Sequence, residues 1–410
     1  VYVPLVMIPL VVLAGLLTHP AMDRLSAKAM GQGLQKQTVL VETIGGLETV
    51  KTAGAAPILS QRWHKAIEEH SDTSLRQRLV ANIGVTIAGS AQTLSYSGVV
   101  IVGVGLIAAN ELTMGGLIAC SILAGRAVAP LGQIANLLSR MTATRTAYRQ
   151  LDQLMSTPSE GPEGEPLVLA ATQGRVEFRN VHFRYPGASE RALEGVSFTV
   201  EPGEHVALLG RVGSGKSTIA KLLLGLYEPE EGVVLLDGTD IRQLDPIDLR
   251  RKIGSAMQES LLLSGTVREN IVLGRDGIDD NELIRSAEVA GTHQFIGQIA
   301  NGYDRRLADR GEGLSGGQRQ SIAISRALAS KPAVLIFDEP SSAMDQQSET
   351  GLIDRLGIEL VGRTFLVITH RTPMLRLVGR VIIVDRGKII ADGPREKILA
   401  ALNRPKVAAI

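Results

Sequence analysis

Three short stretches of this sequence carry residues suited to phosphate chemistry. The first, GRVGSGKS at 210–217, follows the apolar run HVALLG and precedes TIAKLLLGL. It fits G-x-x-x-x-G-K-[ST]. In that pattern glycines let backbone N–H groups turn inward on phosphate oxygens, and the following helix adds its positive end. Lys216 is expected at the β and γ phosphates of a nucleoside triphosphate, and Ser217 on Mg²⁺. The second stretch, VLIFDE at 334–339, is an apolar strand ending in Asp338 and Glu339. That places both carboxylates at the carboxyl edge of a sheet, where open α/β sheets bind ligands. Asp338 is the expected Mg²⁺-side acid, and Glu339 is placed to take a proton from an attacking water. Gln258 after KIGSAMQ and His370 ending FLVITH occupy the same type of position. Either alone would read as a loop residue satisfied locally, but four strand ends around one phosphate loop predict a common site. Tyr185 in FRYPG is open to two readings, stacking on a base or packing on an edge strand.

The third stretch, LSGGQRQ at 314–320, has no carboxylate, histidine or cysteine. Ser315 with Gln318 three residues on predicts a capping box that starts the helix QRQSIAISRALA. Gly316 and Gly317 in the first turn each cost roughly 1 kcal/mol relative to Ala, so helix stability alone does not favour them. They leave the N–H groups of the helix start open to close approach, which makes an anion site. With the loop at 210–217 already holding one nucleotide, this site is expected to serve another phosphate.

The elements that must position these residues follow from the hydrophobic pattern. From about residue 174 onward, short apolar runs (205–210, 333–340, 364–370) alternate with helical segments, which predicts a mostly parallel sheet in an α/β domain. Residues 174–185 and the turn DRGKIIADG (385–393) are expected as antiparallel additions. A helical insert spans roughly 279–330 and contains LSGGQRQ. Its first helix is expected to start at Asp279 with a capping box to Glu282. STPSEGPEGEP (156–166), rich in Pro and Gly, reads as a linker.

Ahead of that linker the chain turns apolar. Val1 to Met22 has no Asp, Glu, Lys or Arg, Leu79 to Asn110 is uncharged, and from Leu112 to Ser139 the only charge is Arg126. A span needs about 20 mostly apolar residues, so three transmembrane helices are expected, at about 1–22, 81–109 and 112–138. A signal peptide is the competing reading of the first run, but it lacks a basic n-region. The stretch 18–81 carries eight Lys and Arg and the turn near Glu111 none, which places 18–81 and everything after about 140 in the cytoplasm. Arg126 is expected to face an aqueous path or a neighbouring helix, or to snorkel. Residues 20–80 read as two long helices joined by a turn near Gly54–Pro57. The net charge of +1, without long runs of one sign, argues against a nucleic-acid partner, and a lone Cys120 excludes an intrachain disulfide framework. Cys120, set among apolar residues, reads as a small hydrophobe.

The ordered set Tyr185, GRVGSGKST, Gln258, LSGGQRQ, FDEPSSAMD and TH at 369–370 resembles the ATPase domain of ATP-binding-cassette transporters, over residues 174 to about 400. The resemblance implies ATP and Mg²⁺ as cofactors. It implies Lys216, Gln258, Glu339 and His370 as catalytic groups, and Ser217, Gln258 and Asp338 as metal ligands. Tyr185, Gly210, Gly213, Ser214, Gly215, Lys216, Ser217 and Thr218 would hold the nucleotide of their own chain. Ser315, Gly316, Gly317 and Gln318 would close on the nucleotide of a second copy, with Asp345 near that head-to-tail interface. Spans ahead of an ATPase resemble the exporter architecture, of which this chain would be an N-terminally truncated piece holding the last three of six. The expected domains are 1–155 membrane, 156–173 linker, 174–403 ATPase and 404–410 tail.

VETIGGLETVKTAGA (41–55) and LAGRAVAPLGQIANLL (123–138) are similar to type I secretion exporters of the haemolysin and RTX-adhesin class. That implies a homodimer in a bacterial inner membrane, among its lipids. An exported polypeptide, a periplasmic adaptor and an outer-membrane channel would be its partners, with the turn near Gly54–Gln61 as a coupling helix against the partner's ATPase. Export of a lipid, drug or small peptide, or a soluble-type cassette ATPase with no transport role, are the alternatives. Ser321, Ser325 and Asp309 depart from the family's usual Arg, Ala and Glu.

Overall fold

The computed structural model describes residues 2–402 except 163, 170, 259, 260 and 276, and side chains of Asp309 and 131–140 are among those left out. The expected domain end at 403, the tail at 404–410, the Asp309 departure and much of the third expected span therefore lie outside the described residues. The chain divides into two compact units, Val1–Pro158 and Ser159–Ile410.

The first unit is helical. Tyr2–Gly45 (α1), the short Leu47–Thr52 (α2), Ala56–Ala108 (α3) and Met114–Met155 (α4) follow one another with brief turns. Thr113 caps α4 by accepting from the N–H of Gly116. Among the described residues, α3 is long and apolar enough to cross a membrane, and Met114–Ala127 is a shorter apolar stretch. Large apolar side chains such as Leu16, Ile101 and Leu123 are exposed on this unit, and Arg126 and Cys120 are exposed as well. Where α3 meets α4, Gly103 gives way to Leu117: a Cβ built at 103 would lie 2.3 Å from Leu117 Cδ1. Polar cross-links tie α1 to α3 further along, His70 Nδ1 to the Ala29 carbonyl at 3.1 Å and Gln77 Nε2 donating to Ser26 Oγ at 3.0 Å.

The turn expected near Gly54–Pro57 is present at Ala53–Ala55. A separate helix lies earlier, at α2, and residues from Ala56 on are already the first turns of α3, with Pro57 in the N-terminal position that tolerates it. Gly45 and Gly46 lower helix propensity at the first break, and Gly54, at φ +63°, makes the second.

The second unit is an α/β domain. Its six-stranded sheet runs Lys388–Pro394, Arg380–Asp385, His205–Leu209, Thr364–Ile368, Val334–Asp338, Ile253–Ala256, in that order. All pairings are parallel except the edge hairpin made by the first two. The central strands Val334–Asp338 and Thr364–Ile368 are buried along their whole length and mostly apolar, because both faces are covered. An antiparallel sheet of Leu193–Val200, Val176–Phe183, Glu231–Leu236 and Thr239–Asp240 closes one side. Its inward residues, Phe178, Leu193 and Val234 among them, share a core with Ile219 and Leu223 of the helix Lys216–Leu223 (α5).

Past the helix Pro246–Lys252 (α6) and the strand Ile253–Ala256 the chain builds the helical insert from Val267–Val272 (α7), Asp280–Ala290 (α8), Thr292–Ile296 (α9) and Gly316–Ala329 (α10) around a core of its own. Asp279 does cap α8 by accepting from the Glu282 N–H, but Glu282 does not return the bond. Its carboxylate pairs instead with Arg285 at 2.8 Å and with Lys331. A complete capping box sits one helix earlier, at Thr266 and Glu269.

Candidate functional site

Four neighbouring strands of the parallel sheet end at the same edge, and each delivers one of the residues singled out above. His205–Leu209 leads into Gly210 and the glycine loop, Thr364–Ile368 into His370, Val334–Asp338 into Glu339, and Ile253–Ala256 into Gln258. Adjacent strands lie about 4.8 Å apart, so the four ends occupy one continuous rim.

Two of the loop's glycines leave no room for a side chain. A Cβ at Gly210 would fall 2.0 Å from the Val384 carbonyl oxygen. Gly215 sits at φ +103° as the cap of α5, where a Cβ would press on the Ala192 carbonyl at 2.7 Å. Gly213 is likewise left-handed at φ +79°. Lys216 is buried and folds back over the loop, donating to the carbonyls of Gly210 and Arg211 at 2.8 Å and approaching Ser214 Oγ at 3.4 Å. Burial pulls its ammonium below the ordinary lysine range, opposed by attraction to Glu339 and Asp338. The loop's own carbonyls thus occupy a cation whose natural partner is an anion.

Asp338 is 2 % exposed, and burial pushes its carboxyl above the ordinary aspartate range despite a hydrogen bond from Ser217 and the nearby Lys216. Its Oδ1 has no hydrogen-bond partner, nor has Oε1 of Glu339. A buried carboxylate oxygen without a partner beside a serine hydroxyl is an all-oxygen donor set of the kind Mg²⁺ takes, completed by phosphate and water. No group of three or more His, Cys, Asp or Glu that could hold a metal by themselves occurs among the described residues.

Glu339 stands at φ +51°, a left-handed conformation uncommon for a residue with a side chain. Its N–H donates to the Ile368 carbonyl at 2.8 Å, and its carboxylate Oε1 lies 3.6 Å from Nε2 of His370. His370 is half exposed and Glu339 nearly buried, so the pair opens toward solvent from the histidine side. Gln258 is exposed two residues beyond its strand.

Tyr185 packs among aromatic rings. Its ring meets Phe183 and Tyr227 edge-on at 4.9 and 5.2 Å, its hydroxyl lies 3.1 Å from Thr218 Oγ1, and Lys221 stands 5.4 Å above the ring. It is still half-buried beside the start of α5.

LSGGQRQ opens α10, with Ser315 as its cap and its last residue, Gln320, reaching the Glu339 carbonyl. The capping box is complete: Ser315 Oγ accepts from the Gln318 N–H at 3.2 Å, and Gln318 Oε1 accepts from the Ser315 N–H at 2.9 Å. The two glycines have a role inside the chain as well. A Cβ at Gly316 would come 3.0 Å from Ala343 Cβ, and one at Gly317 3.0 Å from the Ala343 carbonyl oxygen. A cleft of about 360 Å³ opens at this helix start, lined among others by Ser315, Gly317, Gln318 and Asp345. Asp345 caps the helix Gln346–Glu359 by accepting from the Ser348 N–H at 2.7 Å, and that bond holds its carboxyl below the usual range.

Sequence reasoning missed the residues that bind these parts together. Gln320 is buried on α10 and reaches the turn after Glu339. Arg371, next to His370, donates to the carbonyls of Ser342 and Met344 and to Glu349, which also accepts from Ser341. Ser325 and Thr292 are fully buried and joined through their hydroxyls at 2.8 Å. The one sequence signal was the presence of polar residues (Gln320, Ser321, Ser325) beside the apolar run Ile322–Ile324 of α10.

Comparison with known proteins places this geometry. Residues 2–131 match the family described as ABC transporter transmembrane region, and 193–342 the family described as ABC transporter. The leukotoxin translocation ATP-binding protein LktB of Pasteurella haemolytica-like sp. (strain 5943B) is 34 % identical over 399 residues, 97 % of this chain and 56 % of that protein. The toxin RTX-I translocation ATP-binding protein of Actinobacillus pleuropneumoniae is 33 % identical over 94 % of this chain and 54 % of its own length. The chain thus spans about half the length of these relatives. Among solved structures, a bacterial Atm1-family ABC exporter with ATP bound matches 97 % of this chain and 70 % of its own, at 27 % identity and a TM-score of 0.90. With a transmembrane region and a cassette ATPase on one polypeptide, the chain belongs to the ABC transporter family.

Proposed function

We propose that this chain is the ATP-hydrolysing and membrane-spanning part of a homodimeric ABC exporter that moves a polypeptide out of a bacterial cytoplasm by type I secretion. The carrying observation is the rim on which the glycine loop, Asp338, Glu339 and His370 meet at adjacent strand ends. The toxin-translocation names of the relatives support a polypeptide cargo over a lipid or drug. An inner-membrane location, with a periplasmic adaptor and an outer-membrane channel as partners, goes with the same reading. The domain limits proposed above go with it too, and the division at Pro158 supports a linker over 156–173.

In this reading ATP lies on the loop 210–217, with Lys216 released from its carbonyls onto the β and γ phosphates and Tyr185 beside the base. Ser217, Asp338 and Gln258 hold Mg²⁺, which supplies charge neutralisation when bound. Glu339 accepts the proton of the attacking water, and His370, within reach of its carboxylate, orients that water and the terminal phosphate. Ser315, Gly316, Gly317 and Gln318 close on the nucleotide of a second copy, with Asp345 at the seam. The segment near Gly54–Gln61, which follows the short helix α2, is then the coupling element set against the partner's ATPase. Binding favours the closed pair and hydrolysis removes that bias.

The test is Glu339→Gln in the full-length protein. It should bind ATP and dimerise with turnover reduced by about a hundredfold or more, in line with loss of a positioned base. Wild-type turnover from that variant would remove Glu339 from its role.

A further inference from the structure

We propose that Gln320, the last residue of LSGGQRQ, is a positioning residue that joins the helix start facing one nucleotide to the carboxylate serving the other. The inference rests on the hydrolytic reading of Glu339 and Ser315 given above.

Gln320 is 9 % exposed, and its amide is fully used. Nε2 donates to the Glu339 carbonyl at 2.5 Å and to Ser342 Oγ at 3.2 Å, while Oε1 accepts from the Ala343 N–H at 3.2 Å. These partners fix the amide's orientation, because the Ala343 N–H can only donate and the Glu339 carbonyl can only accept. The peptide that follows Glu339 leads into Pro340 and has no N–H of its own, so its carbonyl is its only polar anchor. That carbonyl receives Gln320 and, at 3.2 Å, the Ser342 N–H.

Glu339 sits at φ +51°, a conformation that persists only where its surroundings over-determine it. Gln320 supplies part of that constraint, and the Ile368 carbonyl on the Glu339 N–H supplies another. On the same helix, Gly317 lies so close to Ala343 that a Cβ would meet its carbonyl at 3.0 Å. The turn after Glu339 is therefore clasped by α10 at two points, one of them within the glycine pair. A shift of the helix start must move that turn, and the Glu339 backbone with it.

The experiment uses Gln320→Met, which keeps length and removes every hydrogen bond, in full-length mixed dimers that have one subunit inactivated by Glu339→Gln. Gln320→Met is placed first on the subunit with intact Glu339, then on the subunit with intact Ser315 opposite it. Turnover should fall about tenfold or more in both arrangements, with KM for ATP within about twofold, since sub-ångström misplacement costs rate rather than binding. An unchanged rate in either arrangement overturns the proposal. So does a parallel loss of kcat, ATP affinity and thermal midpoint, which would mark a folding role. Dimers with Glu339→Gln on both subunits are the control: if they hydrolyse at the wild-type rate, the reading of Glu339 has failed and Gln320 is not at issue.

Discussion

Burial shifts both Asp338 and Lys216 toward their neutral forms. The carboxyl of Asp338 is raised by burial, so the folded chain binds its proton more tightly than the unfolded chain does. Stability from that preference is full below the ordinary carboxylate pKa and is lost as pH rises through the raised one. At neutral pH the ionised group is therefore a cost. Asp338→Asn should raise the thermal midpoint of the nucleotide-free protein at pH 8, with the gap to wild type closing as pH falls below the carboxylate range. The same variant should lose the stabilisation that Mg²⁺ and ATP give the wild type. A pH series of thermal scans with and without Mg-ATP measures both. At this scale the sequence was informative: GRVGSGKS and FDE are read from residue type and local order alone. The left-handed backbone of Glu339 was not legible, because nothing about Glu predicts it. Its constraints come from residues distant in sequence, the Ile368 carbonyl on its N–H and Gln320 on its carbonyl.

Among the elements, local signals carried furthest where both partners lie within one turn. Ser315 and Gln318 form the box their spacing predicts. Asp279 and Glu282 have the same spacing, but Arg285 and Lys331 compete for Glu282 and take it. The turn at Gly54 was legible, but the second break at Gly45–Gly46 was not, and the two together leave the short helix α2 between them. Contacts across the insert were out of reach, since they depend on which helices pack together. One of these is the buried hydroxyl pair of Thr292 on α9 and Ser325 on α10, at 2.8 Å. Ser325→Ala orphans a buried hydroxyl and should cost about 1–2 kcal/mol. The double replacement Thr292→Val with Ser325→Ala removes both partners and should recover most of that loss. A double-mutant cycle in urea reads the coupling directly; additive effects would mean that the two hydroxyls are independent.

At the scale of the whole molecule, the arrangement on one chain is incomplete in a specific way. Ser315 belongs to the insert and lines a cleft to which neither Lys216 nor Glu339 contributes, so in the proposed function each active unit draws on two copies. Ser315→Arg on one subunit and Lys216→Ala on the other then damage the same composite site and spare the second. Such mixed dimers should keep about half the wild-type turnover if the sites work independently. Complete loss would place Ser315 in the site of its own chain, or make the two sites inseparable. Purified mixed dimers assayed beside each parent distinguish these results, because either homodimer should be inactive. The two-unit division was legible from the change of hydrophobic pattern near the proline-rich stretch at 156–166. The packing of α3 on α4 at Gly103 was not, as a glycine in an apolar helix has no partner until the fold supplies Leu117.

The conformation of Glu339 has an evolutionary reading. A glycine at that position would relieve the left-handed backbone, a gain of roughly 1 kcal/mol at a site that suits it. Selection for robustness alone would thus be expected to drift toward glycine there, and a screen for thermotolerance would enrich variants that have given up the carboxylate. Position 339 is where fitness for turnover and fitness for folding pull on the same residue in opposite directions.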